Sequence, residues 1–135
     1  KFEAGTPNIE AVVGWGAALD WMSAIGMDAL MAHEADLMAY GTERLTAIDG
    51  LVLFGTAPEK SAVLSFGFAD LHPYDLGTLL DQQGIAVRTG QHCAQPIMDY
   101  YNIPGTVRAS FDAYSSREDV DRLADGVERA LRMLR

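Results

Sequence analysis

The first part of the chain carries apolar residues at helical spacing, interrupted by a helix-ending glycine. After Asn8, a residue type that caps helix N-termini, this spacing predicts a helix that runs up to Gly26. The same spacing continues from Met27 to Ile48 and predicts a second helix, which Gly50 helps to end. The chain therefore opens with two consecutive helices.

Shorter apolar runs separated by polar turns make up the remainder and alternate between strand and helix patterns. The predicted strands are residues 51–54, 62–68, 85–88 and 106–111. The predicted helices are residues 75–83, opened by His72 and Pro73, a short helix from Pro96 to Tyr101, and a last helix that begins at Ser116. The order ααββαβαβα predicts an α+β fold with a small, mainly antiparallel sheet packed with helices.

The composition argues against two classes of partner. With a formal net charge of −9 and Lys1 and Lys60 as its lysines, the chain lacks the clustered basic residues that a phosphate backbone requires. No apolar run approaches the roughly 20 residues that span a bilayer, and the N-terminus has no signal-peptide pattern. We therefore expect neither a nucleic-acid partner nor a membrane partner.

The segment from Arg88 to Pro96 carries the residues best suited to chemistry. A glycine permits a tight loop after the predicted strand, and the single cysteine, Cys93, follows directly after His92 in polar surroundings. A buried structural cysteine would be out of place there, whereas a nearby cation lowers a thiol pKa and favours the nucleophilic thiolate. These features predict a reactive thiol. One cysteine also excludes an intrachain disulfide, as is typical of the reducing cytoplasm.

Other sites built on a His-Cys pair fit less well. A tyrosine-phosphatase loop needs several glycines and an arginine after the cysteine, whereas residues 94–98 are Ala-Gln-Pro-Ile-Met. Zinc usually takes four ligands at short paired spacing, and His92 and Cys93 with a distant His33 or His72 are a poor set, so no metal is expected. A papain-like site needs a general-base histidine and an orienting group, which spacing alone leaves open.

Residues 88–96, Arg-Thr-Gly-Gln-His-Cys-Ala-Gln-Pro, closely resemble the active-site cysteine motif of the group II cysteine desulfurases, the SufS and CsdA type. Residues 2–8, Phe-Glu-Ala-Gly-Thr-Pro-Asn, resemble a segment near the end of that family's large domain. Residues 84–87 and 108–110 also match, in the same order and at compatible spacing. The resemblance covers essentially the whole chain.

The resemblance implies the C-terminal part of a fold-type I, aminotransferase-like homodimer that holds pyridoxal phosphate on a lysine. Residues 1–8 would end the large domain, and residues 9–135 would form the small domain with the cysteine loop 88–96. Such enzymes convert L-cysteine to L-alanine, commonly accept L-selenocysteine, and take the sulfur as a persulfide. They pass it to a SufE-like acceptor for iron–sulfur cluster assembly in the cytoplasm.

The resemblance also implies roles for individual residues. Cys93 would accept the sulfur, and Arg108 would grip the substrate α-carboxylate with its planar fork. Thr6 would contact the cofactor phosphate of the partner subunit. Two roles stay open: Arg88 either orders the loop or contacts the substrate, and His92 either tunes the thiolate or holds the loop.

Two features depart from the family pattern. Gln91 stands where many members have a second histidine, so a paired imidazole is not expected. The cofactor lysine is also missing, since Lys1 and Lys60 lie in the wrong segments, and we expect it upstream of residue 1 in a longer polypeptide. The 135-residue segment alone should then be inactive. The rival interpretation is a stand-alone, non-catalytic sulfur-carrier or binding module.

Overall fold

The computed structural model describes residue 2 and residues 4–135. Lys1 and Glu3 lie outside the described residues, so the expectation that Lys1 is not the cofactor lysine rests on the sequence alone. The chain divides into two compact units, Lys1–His33 and Glu34–Arg135.

The order of helices and strands in the described residues confirms the predicted pattern. All bounds except those of one strand agree with the prediction to within two residues. The elements are α1 (Ile9–Ile25), α2 (Met27–Thr46), β1 (Val52–Phe54), β2 (Val63–Gly67), α3 (Pro73–Asp81), β3 (Arg88–Gly90), α4 (Gln95–Tyr101), β4 (Thr106–Ser110) and α5 (Arg117–Leu134). None of the helices among the described residues is long and apolar enough to cross a membrane.

Helix α1 begins as the sequence predicts. The side chain of Asn8 accepts a hydrogen bond from the Ala11 amide at 3.1 Å, which satisfies one of the free N–H groups at the helix start. Every residue of α1 is nevertheless exposed, including Trp15 and Trp21 at 66% and 54%. The apolar positions that predicted the helix therefore do not form a buried face in this chain.

The second unit is built on a four-stranded antiparallel sheet in the order β1-β2-β4-β3. Paired residues of neighbouring strands point to the same face of a sheet, and successive residues alternate between faces. One face carries Phe66 and Val107, both fully buried in the core against helices α3 and α5. The opposite face carries a row of directly paired residues, here called the arginine face: Phe54, Ser65, Arg108 and Arg88.

The predicted strand 85–88 is wrong, because β3 covers Arg88–Gly90 instead. The Ile85 amide donates to the Leu80 carbonyl at 3.0 Å, which ends helix α3, and Gly84 has a φ of 72° there. The Ile85 side chain packs against α5 where Gly126 leaves room for it. The apolar residues that predicted a strand thus have another role: Ile85 caps the end of α3 and packs its side chain against α5.

Helices α2 and α5 are joined by polar contacts around one carboxylate. The Tyr40 hydroxyl and the Arg44 Nε both donate to the Asp121 Oδ1, each at 2.7 Å. These hydrogen bonds hold the pKa of Asp121 below its usual value. The bond from Tyr40 has the largest effect, and the bond from Arg44 has the next largest. The charged form of Asp121 is thus favoured in the folded protein.

We expect this carboxylate to make stability depend on pH in the acidic range. A folded-state pKa below the unfolded value gives stabilisation that is complete above about pH 4 and lost as pH falls through the folded pKa. Asp121→Asn should lower the thermal unfolding temperature most at neutral pH, and the difference from wild type should shrink below about pH 4. A control, Asp20→Asn on exposed α1, should leave the unfolding temperature nearly unchanged. A deficit for Asp121→Asn that stays constant down to acidic pH would contradict the assignment.

Candidate active site

The loop between β3 and α4 presents the cysteine in an uncommon backbone conformation. His92 and Cys93 have φ angles of 56° and 59°, so two successive residues with side chains lie in the left-handed region. Each such residue costs roughly 1–2 kcal/mol and persists only where surrounding contacts hold it. Within the loop, the Ala94 amide donates to the Gln91 carbonyl at 2.9 Å. The turn leaves Cys93 exposed, which argues against a packing role for its thiol.

Arg88 is the cation in contact with this thiol. Its Nη2 lies 4.0 Å from the Cys93 Sγ, a distance reached because β3 ends and the loop turns back toward the strand. Among the described residues, Arg88 forms no ion pair with a carboxylate. The positive charge of Arg88 is therefore available to an anion at or near the sulfur.

Arg108 lies directly opposite Arg88 in the pairing of β3 with β4. Like charges at directly opposed positions of a sheet repel each other, so this arrangement costs stability unless an anion lies between them. Within the described part of the chain, Arg108 has no carboxylate partner either, and its Nε is buried without a hydrogen-bond partner. A buried donor that lacks a partner costs about 1–3 kcal/mol. Two arginines without a carboxylate partner among the described residues are suited to binding an anion.

His92 is held by the sheet rather than directed at the thiol. Its Nε2 lies 2.9 Å from the Thr106 Oγ1 and 3.2 Å from the Thr106 carbonyl oxygen. Burial is the main cause that lowers the pKa of His92. The hydrogen bond to the Thr106 backbone raises that pKa, whereas the positive charges of Arg108 and Arg88 lower it further. The ring is thus neutral at neutral pH, and of the two roles left open for His92 the geometry favours holding the loop.

Thr106 is a residue of this site that the sequence analysis missed. It is 1% exposed and lies on the arginine face, two positions before Arg108 and paired with Gly90 of β3. The preceding residue, Gly105, approaches the Gly90 backbone so closely that a β-carbon there would lie 2.8 Å from it. The sequence signal was a polar residue directly after a glycine at the start of a predicted strand.

The residues expected near pyridoxal phosphate are Thr6 and a lysine. Thr6 is exposed. The Nζ of Lys60 donates to the Gly55 carbonyl at 2.9 Å in the turn between β1 and β2, far along the chain from the cysteine loop. Lys60, the lysine among the described residues, is thus engaged in that turn, and the cofactor lysine stays an expectation from the sequence.

Known proteins similar to this chain are named cysteine desulfurases. Residues 1–123 match the model of the aminotransferase class-V family. A Streptomyces coelicolor protein named "Probable cysteine desulfurase" is 50% identical over 95% of this chain and 31% of its own length. An Escherichia coli O127:H6 protein named "Cysteine desulfurase" is 46% identical over 99% of this chain and 33% of its own length.

A solved structure that is similar to this chain is also a cysteine desulfurase. The crystal structure of the cysteine desulfurase CsdA from Escherichia coli, in its S-sulfonic acid form, matches with a TM-score of 0.89 and 39% identity. The match covers 97% of this chain and 32% of that one. The chain thus spans about a third of the length of the proteins it matches. These relatives confirm the resemblance that the motifs predicted.

Proposed function

Because this chain belongs to the aminotransferase class-V family, we propose that it is the sulfur-accepting part of a pyridoxal-phosphate-dependent cysteine desulfurase. The observation that carries the proposal is the exposed thiol of Cys93 in contact with Arg88, which lies opposite Arg108 in the sheet; neither arginine has a carboxylate partner among the described residues. The site offers a nucleophile and a pair of cations suited to an anion, two of the groups that sulfur removal from an amino acid requires of a protein.

The two arginines would bind the substrate. Arg108 offers a fixed guanidinium fork whose Nε has no partner among the described residues, and a carboxylate would supply the missing acceptor. Binding a carboxylate would also relieve the repulsion between Arg108 and Arg88 across the strand pair. The free amino acid L-cysteine, and L-selenocysteine as its close analogue, would then lie with the α-carboxylate at the arginine face and the sulfur toward the loop.

Cys93 would carry out the transfer itself. Its sulfur forms an S–S bond to the substrate sulfur as the substrate's C–S bond breaks, and the electron pair of that bond stays on carbon. The carbon takes up a proton, so that L-cysteine and the Cys93 thiol become L-alanine and a Cys93 persulfide without an external oxidant. Pyridoxal phosphate, held on a lysine of the full-length protein, would supply an electron sink for the substrate carbon. The positive charge of Arg88 would lie beside the Cys93 sulfur during the transfer, since its Nη2 is 4.0 Å from the Sγ.

The remaining parts of the proposal concern the protein as a whole. We place residues 1–8 at the end of a large domain and residues 9–135 in a small domain, with Thr6 directed toward the cofactor phosphate of the partner subunit in a homodimer. The exposed thiol can be reached by a SufE-like acceptor that carries the sulfur to iron–sulfur cluster assembly in the cytoplasm. The cofactor lysine lies in sequence that this chain does not include.

Mapping of the persulfide tests this function. The full-length protein with bound cofactor, treated with L-cysteine, should gain one sulfur atom on the peptide that contains Cys93, and a reductant should remove it. The chain 1–135 treated in the same way should gain no sulfur, because the cofactor lysine is expected upstream of residue 1. Alanine formation with no persulfide on that peptide would refute the proposed role of Cys93. Sulfur uptake by 1–135 alone from an external persulfide donor, with no activity in the full-length protein, would favour the carrier module.

A further inference from the structure

The strained turn at His92 and Cys93 is tied to the sheet by a side-chain hydrogen bond that starts from the residue before the thiol. His92 Nε2 reaches both the hydroxyl and the carbonyl oxygen of Thr106, at 2.9 and 3.2 Å. Two adjacent residues at positive φ return to ordinary conformations unless contacts hold them, since the strain favours release. The hydrogen bond between His92 and Thr106 therefore helps to fix the position of the Cys93 sulfur.

The acceptors on Thr106 determine the proton position on the ring. A backbone carbonyl only accepts hydrogen bonds, so the bond to it requires the proton on Nε2 of His92. The Nδ1 atom is then unprotonated, and it is buried without a partner among the described residues. A second proton on Nδ1 would bury an unsatisfied N–H group close to the charges of Arg88 and Arg108. The ring is thereby held as one neutral tautomer.

The Thr106 end of this bond is rigid. Thr106 is buried, and Gly105 packs against the backbone of Gly90 with no space for a side chain. The same strand, β4, carries Arg108 two residues later on the same face of the sheet. One short rigid strand thus holds both the anchor of the cysteine loop and the arginine of the anion-binding pair.

We propose that Thr106 and His92 form a positioning pair that holds Cys93 in its left-handed conformation at a defined distance from Arg108. The pair would set the separation between the accepting sulfur and the substrate carboxylate without touching the substrate. This inference rests on the proposed function, because it assigns the pair to the geometry of sulfur transfer.

The test compares Thr106→Val with Thr106→Ser in the full-length protein with bound cofactor. Valine fills the same volume without the hydroxyl, whereas serine keeps the oxygen that faces His92. Thr106→Val should lower kcat for alanine formation about five- to tenfold, the worth of one buried hydrogen bond, with KM for L-cysteine unchanged because Arg108 is intact. Thr106→Ser should restore most of kcat. Thr78→Val, which removes an exposed hydroxyl bonded within α3, is the control and should match wild type.

A second measurement separates this inference from loss of folding. Native Thr106→Val with an unchanged unfolding temperature should alkylate at Cys93 at a rate different from wild type, whereas Thr106→Ser should alkylate like wild type. Equal loss of kcat in the valine and serine variants, or a rise in KM that matches the fall in kcat, would overturn the positioning pair. A wild-type kcat in Thr106→Val would also overturn the positioning pair. If the same sample formed the Cys93 persulfide, the proposed function would still hold. Absence of that persulfide from wild type would instead refute the proposed function.

Discussion

Replacing Cys93 with serine in the full-length protein is expected to abolish sulfur transfer while leaving substrate binding intact. A serine hydroxyl fits an exposed position in the same turn, but it is not ionised at neutral pH and cannot form a persulfide. Loss of a nucleophile costs more than about a thousandfold in turnover. Alanine production should fall by at least that factor, whereas the change in cofactor absorbance on adding L-cysteine should persist, because the proposed carboxylate contact of Arg108 is left intact.

The packing interpretation of Cys93 makes the opposite prediction. A cysteine that only fills space should be slow to alkylate in the native protein, and Cys93→Ser should cost about 1–3 kcal/mol of stability while turnover survives. Cys93→Ala is the matched control, because it removes the sulfur without adding a hydroxyl. Turnover retained in either variant would defeat the assignment of Cys93 as sulfur acceptor. Equal losses in both variants, at an unchanged unfolding temperature, would support it.

Replacing Arg108 with alanine is expected to raise KM for L-cysteine about ten- to a hundredfold. A charge-assisted hydrogen bond to a carboxylate is worth roughly 1.5–3 kcal/mol, and the Arg108 Nε has no acceptor among the described residues that would compete for it. Removal of this side chain also ends the repulsion with Arg88, so stability should fall little or rise. Initial rates at subsaturating L-cysteine, together with thermal unfolding, measure both effects.

Two further variants sharpen the Arg108 result. Arg108→Lys keeps the charge without the planar fork and should recover only part of the affinity. Arg132→Ala removes one positive charge from the exposed last turn of α5 and should leave KM unchanged, which controls for the change in net charge. An unaltered KM in Arg108→Ala would show that the arginine pair does not bind the substrate carboxylate.

The pattern of local signals along the chain determined the order of its elements. Caps such as Asn8 and Ser116 act within three residues, and both make the expected hydrogen bonds. Helical or alternating spacing of apolar residues likewise acts within one element, which is why α1 to α5 and three of the strands were predicted to within two residues. The cysteine motif is also local, so the reactive character of Cys93 could be predicted and its exposure agrees with that prediction.

Tertiary packing decided the features that join distant segments. The apolar residues 85–87 were compatible with a strand, but Ile85 ends α3 and packs beside Gly126, forty-one positions later, so pairing begins only at Arg88. That start sets the register that places Arg88 opposite Arg108. A shift of one residue would have put them on opposite faces, and no local pattern distinguishes the two registers.

Tertiary packing also decided the hydrogen bond between His92 and Thr106 that anchors the cysteine loop. The sequence left two roles open for His92, tuning the thiolate or holding the loop, because its partner Thr106 is fourteen residues away on another strand. The sequence by itself therefore determined most of the elements and indicated Cys93 as the candidate nucleophile, since both depend on neighbours along the chain. Only the tertiary structure decided the partners of Arg88, His92 and Arg108, because strand register and burial depend on contacts between segments that are distant in sequence.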